Sequence, residues 1–155
     1  MSEENTISRR SAFAAGAAAL LLAGFAGEAK AEMSAAEKAN IKVVDDFLAI
    51  WAKPDTDVAK ALTFFTDDCV VRMSENKPAL TGKTALGQGF ADLLKTGRYG
   101  IKSLSTFARG PVVANDRVDW KIEDGGKRGA EFPIAGVFVV RNGKLAEWSD
   151  YLAKA

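Results

Sequence analysis

A helical pattern of apolar positions begins near Ser34. Glu37 follows Ser34 by three residues, which is the spacing of a capping box at a helix N-terminus. Apolar side chains then recur at the period of a helix with one buried face, at Ile41, Val44, Phe47, Leu48 and Trp51. The pair Lys53-Pro54 ends this pattern, because a residue that precedes proline avoids helical backbone angles.

Two further helices are predicted on either side of one strand. Val58, Leu62 and Phe65 repeat at helical spacing and predict a short helix over residues 56–65. The stretch DDCVVRMS that follows is typical of a strand. A third helix is predicted within LTGKTALGQGFADLLKTG, with Gly82 before it and Gly97 after it.

The rest of the chain predicts an antiparallel meander of four strands, over residues 100–109, 112–123, 130–141 and 145–152. EDGGK and RNGK are expected hairpin turns, because glycine and asparagine tolerate positive φ. The helices can bury their apolar stripes only against this sheet. The predicted fold is therefore α+β: a curved, mostly antiparallel sheet that forms a conical pocket covered by three N-terminal helices. Such a pocket is a common type of small-molecule site.

Residues 1–31 are expected to be a twin-arginine-type export signal. Arg9 and Arg10 precede a weakly apolar run of alanine, glycine and leucine, and Ala29-Lys30-Ala31 has the small-x-small form of a cleavage site. We expect cleavage before Glu32, a periplasmic location and no stable membrane anchor afterwards. An uncleaved anchor is the alternative. Residues 32–155 are then expected to form a single domain.

Composition narrows the function classes. The 155-residue chain has a net charge of +1 and no basic stripe, so we expect neither a nucleic acid nor an anionic membrane as partner. It has no histidine, which excludes Ser-His-Asp and Cys-His catalysis and histidine-ligated metals. Its one cysteine, Cys69, cannot form an internal disulfide and is expected to be buried. No metal or cofactor is expected.

Charged residues lie in strand patterns where an apolar row is expected. In NDRVDWKI, Val118, Trp120 and Ile122 alternate with charged residues, so Arg117 and Asp119 share one face. Most Arg-x-Asp pairs of this kind are solvated ion pairs, and that interpretation stays open.

The last predicted strand gives a stronger signal. Asp150 alternates with Ala146, Trp148 and Leu152, so a carboxylate lies in the middle of an otherwise apolar row. A buried carboxylate needs a partner, because an unpaired charge costs several kcal/mol out of water. Arg117 is the expected partner, since a guanidinium between Asp119 and Asp150 would orient both acids. Burial and mutual repulsion would then keep one acid protonated, which provides an acid and a base without histidine.

NDRVDWKI and FPIAGVFVVRNGKLAEWSDYL together resemble the second half of the limonene-1,2-epoxide hydrolase family. That family belongs to the nuclear-transport-factor-2-like group of cone-shaped domains, as do SnoaL-like domains. The resemblance covers most of residues 35–152 in outline and residues 112–152 in detail. It implies a cofactor-independent hydrolase that opens a small apolar epoxide.

The resemblance also implies roles for individual residues. Asp150 would be the base that activates water, Asp119 the acid that protonates the epoxide oxygen, and Arg117 the bridge between them. The implied substrate wall comprises Phe132, Ile134, Trp148 and Leu152, with Met73 also expected to contact substrate; ordinary core packing is the alternative for this wall. The family holds its water with a Tyr and an Asn on the first strand. The matching positions here are Val71 and Met73, and Ser74 or Asn76 would substitute after a shift of register.

Two other functions stay open at this point. One is a proton-transfer enzyme of the SnoaL-like or ketosteroid-isomerase-like kind, which needs an oxyanion donor such as Asp119 or one of the two tyrosines, Tyr99 and Tyr151. The other is a non-catalytic periplasmic domain that binds a small apolar molecule. A homodimer is a further expectation, because an outer row of Val118, Trp120 and Ile122 would suit a contact between sheets.

Overall fold

The computed structural model describes residues 32–153, and the predicted export signal lies outside them. The first helix, α1, spans Ala35–Trp51, and its predicted capping box is confirmed. The Ser34 hydroxyl accepts a hydrogen bond from the Glu37 amide at 3.2 Å, and the Glu37 carboxylate accepts one from the Ser34 amide at 2.8 Å. The apolar stripe of α1 faces the core through Val44, Phe47, Leu48 and Trp51, all of which are buried.

The second helix is shorter than predicted. Helix α2 spans Val58–Leu62, and the Asp57 carboxylate caps its N-terminus by accepting a hydrogen bond from the Lys60 amide. The prediction that Phe65 belongs to this helix was wrong. Phe65 begins a strand and pairs with Leu145 of the last strand, so a contact between distant segments overrides the local helical spacing.

Six strands form one sheet, and α3, Gly82–Lys95, packs beside it. The strands are β1 (Phe65–Arg72), β2 (Leu80–Thr81), β3 (Arg98–Arg109), β4 (Val112–Ile122), β5 (Arg128–Arg141) and β6 (Lys144–Leu152). Their order is β2-β1-β6-β5-β4-β3, and every neighbouring pair is antiparallel except β1 with β6. The predicted fold class, helices on a curved and mostly antiparallel sheet, is confirmed. The two-residue β2 was missed because it pairs only with β1.

The core lies between the helices and the inner face of the sheet. Aromatic side chains dominate it: Phe47 of α1 packs edge-on against Phe65 at a centroid separation of 5.0 Å and against Trp148 at 5.4 Å. Cys69 is buried, as expected, and a free thiol. Burying each large apolar side chain contributes roughly 1.5–3 kcal/mol to folding, so this cluster fixes the helices against the sheet.

The hairpin turns set the register that positions the inner face. Gly125 and Gly126 have positive φ in the EDGGK turn, and Asn142 and Gly143 have positive φ in the RNGK turn. Both turns therefore form where the sequence predicts them. No helix within residues 32–153 has both the length and the hydropathy needed to cross a membrane.

The alternation in β4 places charged residues inside and the apolar row outside. Arg117 is 1% exposed on the inner face, whereas Trp120 is half-buried on the outer face. Trp120 covers Gly100 of β3, where a Cβ atom would lie 2.2 Å from the indole, and the Arg128 guanidinium lies 4.1 Å from its ring. The row that contains Val118, Trp120 and Ile122 is thus part of the outer sheet surface and not of the core.

Candidate active site

A cavity of about 400 Å³ lies between the helices and the inner face of the sheet. Its wall includes most of the predicted site residues: Met73, Arg117, Asp119, Phe132, Ile134, Trp148 and Asp150. Apolar side chains of α1 and α3 cover the cavity, among them Leu48, Trp51 and Leu93. The cavity is therefore largely apolar, with its acidic and basic side chains gathered on β4 and β6.

Arg117 connects the two acids. Its Nε atom donates a hydrogen bond to Oδ1 of Asp119 at 3.0 Å, and its Nη2 atom donates to Oδ2 of Asp150. The side chains of Asp119 and Asp150 are 18% and 9% exposed, so both ion pairs are shielded from bulk water. A fork of fixed donors holds the two carboxyl groups in a defined mutual orientation.

Gly136 makes this bridge possible. It lies on β5, where it pairs with Asn115 of β4 on one side and Asp150 of β6 on the other. The guanidinium of Arg117 crosses closely over Gly136. A Cβ atom at this position would lie 2.4 Å from Nη1 of Arg117 and 3.1 Å from Oδ1 of Asp150, so only glycine leaves room for the crossing. Glycine inside a strand often marks such a close approach, and that signal is present in the segment IAGVF.

Trp148 lines the cavity, as predicted, and it also makes a polar contact that the sequence did not predict. Its indole Nε1 atom donates a hydrogen bond to Oδ1 of Asp150 at 2.6 Å. The ring is 3% exposed and stacks on Phe138, with centroids 5.8 Å apart and an interplanar angle of 10°. Both oxygens of Asp150 therefore accept a hydrogen bond from a rigidly held donor.

Burial dominates the protonation equilibria of the cluster. Desolvation raises the pKa of Asp119 and of Asp150 above the usual aspartate range, although Arg117 acts in the opposite direction on both. The charge of Asp150 raises the pKa of Asp119 further. Burial alone lowers the pKa of Arg117, but the two carboxylates outweigh it and the net shift is upward. Such a cluster can retain one proton between two acids at a higher pH than two separate, solvated aspartates would.

Asn115 is a buried polar residue that was not among the predicted site residues. It is 2% exposed and lies next to Arg117 on the inner face of β4. Its amide nitrogen donates to the hydroxyl groups of Ser103 at 3.1 Å and Thr106 at 2.8 Å. Within residues 32–153, Asn115 Oδ1 and Arg117 Nη1 are among the few buried side-chain atoms without a hydrogen-bond partner.

Leu152 does not belong to the site. It is 46% exposed and is not part of the cavity wall, although it has the strand parity of Asp150. The prediction that it lines a substrate wall is therefore corrected. Leu152 is the last residue of β6. Parity assigns a face of the sheet but not the extent of the helices that cover that face.

The positions expected to hold water differ in their access to the cavity. Val71 is fully buried and outside the cavity wall, whereas Met73 and Ser74 both line it. Asn76 is exposed. Of the two polar residues suggested as substitutes, Ser74 therefore lines the cavity and Asn76 does not.

The SnoaL-like domain family model matches residues 44–148. No curated protein matches the chain significantly.

Solved structures share the fold. One is an LEH-like epoxide hydrolase from M. tuberculosis, with a TM-score of 0.64, 23% identity, and coverage of 76% of this chain and 84% of that chain. Another is a protein from Jannaschia sp. CCS1 assigned as a SnoaL-like polyketide cyclase, with a TM-score of 0.66, 15% identity, and coverage of 78% and 90%. A third is an NTF2-like protein from Anabaena variabilis ATCC 29413, with a TM-score of 0.64, 18% identity, and coverage of 79% and 96%. At these identities the likeness concerns the fold alone.

Proposed function

We propose that this chain, which belongs to the SnoaL-like domain family, is a cofactor-independent hydrolase that opens a small apolar epoxide with water. One observation carries the proposal: Arg117 contacts both Asp119 and Asp150 on the wall of a largely apolar cavity. The similarity in fold to an LEH-like epoxide hydrolase supports the same choice of reaction.

We propose different roles for the two acids on the basis of their hydrogen-bond donors. Asp150 accepts hydrogen bonds from Arg117 and Trp148, and donors of this kind favour a charged carboxylate. Asp150 is therefore the proposed base. Asp119 accepts through Oδ1 from Arg117, which leaves Oδ2 to carry the proton, and Asp119 is the proposed acid.

The reaction then follows with balanced bonds and protons. Asp150 takes a proton from water as the water oxygen bonds to one ring carbon. The C–O bond at that carbon breaks, and Asp119 gives its proton to the released oxygen, so the product is a vicinal diol. The cluster regains its starting state when the proton on Asp150 returns to Asp119. General acid and general base catalysis are each worth roughly 10²–10⁴ in rate, or about 3–5 kcal/mol.

The cavity wall fits an apolar substrate. Phe132, Ile134 and the indole of Trp148 lie beside the acids, and Leu48 and Leu93 lie on the helix side. An apolar ring carbon skeleton packed here would exclude bulk water, so only a water held near Asp150 would be within reach of the epoxide. Ser74 is the proposed second ligand of that water, because its side chain shares the same wall.

The test is turnover of a panel of small cyclic and acyclic epoxides in ¹⁸O-labelled water. We expect a diol with one labelled oxygen from the wild type, and turnover that is slower by about 10²–10⁴-fold in Asp150→Asn, because the base is lost. Asp116→Asn is the matched control, since Asp116 is exposed on the outer face of the same sheet. Equal rates for the wild type and Asp150→Asn would remove Asp150 as the base.

A second candidate is an enzyme that moves a proton next to a carbonyl group. Tyr99 favours it, because Tyr99 lines the cavity and its hydroxyl lies 3.1 Å from the Thr96 hydroxyl. A phenol in this position could stabilise an enolate oxygen while Asp150 moves the proton. Tyr151, in contrast, is 42% exposed. Isomerisation of a conjugated enone by the wild type, without any epoxide opening, would favour this reaction.

We also propose that the protein is exported through the twin-arginine pathway and cleaved before Glu32. The proposal rests on Arg9, Arg10 and the small residues that precede Glu32. Mass spectrometry of the exported protein is expected to find Glu32 as the first residue, and replacement of both arginines by lysine is expected to block export. An intact N-terminus on the exported protein would contradict the cleavage.

A further inference from the structure

A second depression, called the outer groove, lies between α1 and the edge strand β3. Its volume is about 380 Å³. One side is polar and comprises Asp45, Ser103, Ser105 and Thr106, and the remaining wall is mostly apolar. The strand has a bulge between Ser103 and Ser105 at this point, which turns side chains away from a regular alternation.

The outer groove adjoins the active-site cavity. Leu48 of α1 and Ile101 of β3 line both spaces, so these two side chains form a shared wall. Ser103 is also the register partner of Arg117, and directly opposed residues in an antiparallel pair have Cβ atoms about 4.5–5.5 Å apart. The outer groove therefore lies directly beside the active-site cavity, on the side of the edge strand β3.

The buried amide of Asn115 orients the polar side of the groove. It donates hydrogen bonds to the Ser103 and Thr106 hydroxyl oxygens, so each hydroxyl must direct its own hydrogen elsewhere. Thr106 lies beside the Asp45 carboxyl group and partly offsets the rise in its pKa that burial causes. Ser103 is exposed in the groove, so its hydroxyl hydrogen is available to a ligand.

The groove thus offers hydroxyl donors, Ser103 and Ser105, on the same wall as one carboxylate acceptor, Asp45. A hydroxyl group matches both, because it accepts one hydrogen bond and donates another. An ammonium group has donors only, so it would leave the Ser103 hydroxyl hydrogen without an acceptor. The apolar remainder, which includes Ala49 and Leu104, suits the carbon chain that carries such a hydroxyl.

We infer that the outer groove is a substrate subsite, and that the preferred substrate is an elongated epoxide with a hydroxyl group at the end remote from the ring. This inference rests on the proposed hydrolase function for the position of the ring. Ser103 and Asp45 are its specificity-determining residues, while Asn115 positions Ser103 from behind.

The test compares two terminal epoxides of equal length. One has eight carbons and ends in a hydroxyl group; in the other a methyl group replaces that hydroxyl. We expect the wild type to favour the hydroxyl compound in kcat/KM by about tenfold, because a net hydrogen bond to a charged partner contributes about 1.5 kcal/mol. Ser103→Ala and Asp45→Ala are each expected to reduce this ratio towards one, because each removes one hydrogen-bond partner of the terminal hydroxyl group.

Asp46→Ala is the matched control. Asp46 is the next residue on α1, pairs with Lys42 and is not part of the groove wall, so the ratio should stay at its wild-type value. A wild-type ratio near one, or a ratio that survives both groove substitutions, would overturn the inference.

Binding separates this inference from the hydrolase proposal. Trp51 and Trp148 line the active-site cavity, so quenching of tryptophan fluorescence gives a dissociation constant for each compound without turnover. If neither epoxide is opened, the hydrolase proposal fails. The subsite proposal then depends on binding alone, and it requires that the hydroxyl compound bind about tenfold more tightly to the wild type than to Ser103→Ala. Equal binding of the two compounds by the wild type contradicts the subsite whatever the turnover.

Discussion

Replacing Gly136 with alanine would place a methyl group where the Arg117 guanidinium crosses β5. The new Cβ atom would lie 2.4 Å from Arg117 Nη1, 2.9 Å from Phe138 Cε2 and 3.1 Å from Asp150 Oδ1. Comfortable non-bonded contacts are about 3.5 Å or longer, so the guanidinium must retreat by about 1 Å. The absence of a side chain at Gly136 therefore controls the geometry of the whole acid–base cluster.

The displacement predicts two separate losses. A misplacement of about 1 Å in a catalytic group can cost about 10²-fold in rate, so kcat/KM for an epoxide should fall by about that factor. Overpacking a tight core costs about 1–3 kcal/mol, which corresponds to a melting temperature lower by about 3–10 °C in a domain of this size. The second loss does not depend on the reaction that the enzyme performs.

The assay combines kcat/KM with thermal unfolding followed by circular dichroism. Gly87→Ala is the matched control, because it adds the same methyl group in α3, where the nearest atom is the flexible Leu62 Cδ1 at 3.1 Å. We expect Gly87→Ala to keep wild-type activity. Wild-type activity and melting temperature in Gly136→Ala would refute the close passage of Arg117 over β5.

Three further predictions concern the cluster and the outer face. Trp148→Phe keeps the ring on Phe138 but removes the donor to Asp150, so the pKa of Asp150 should rise and the acid limb of the kcat pH profile should move to higher pH. The pKa values of Asp119 and Asp150 are raised in the folded chain, whereas an unfolded aspartate has a pKa of about 3.9. At pH values between these two limits, the folded chain therefore binds more protons than the unfolded chain. The free energy of unfolding should therefore fall with rising pH relative to an Asp119→Asn/Asp150→Asn variant in denaturant titrations; a constant difference would contradict the raised values. We propose that the outer sheet face, where Phe107 is 62% exposed, forms a homodimer, and sedimentation should find Phe107→Lys monomeric and the wild type dimeric.

Local alternation was enough to predict the inner face of the sheet. Residues two apart in a strand share a face, so the positions of Arg117 and Asp119 relative to each other follow from β4 alone. Asp150 was placed inside because its neighbours at the same parity are apolar. The contact between Arg117 and Asp150 additionally needs β4, β5 and β6 to be adjacent, which the two short hairpin turns ensure.

The differences from the prediction come from contacts between distant segments. Phe65 has the spacing of a helical residue, yet pairing with β6 extends the backbone there. Leu152 has the parity of a cavity residue, yet it lies at the end of β6 and is exposed. The donor role of Trp148 depends on the direction of an indole ring, and periodicity carries no information about ring direction.

We propose above all that Asp119, Arg117 and Asp150 act as one shielded acid–base cluster. Its most direct test is a pH titration of the aspartate side-chain carboxyl carbons by ¹³C NMR, with Asp119 and Asp150 assigned from the Asn variants. We predict that both pKa values lie above the usual aspartate range, because both groups are desolvated. We also predict that Asp150→Asn lowers the pKa of Asp119, since a neighbouring negative charge is removed. Ordinary aspartate pKa values for both residues, with no effect of Asp150→Asn on Asp119, would contradict the cluster.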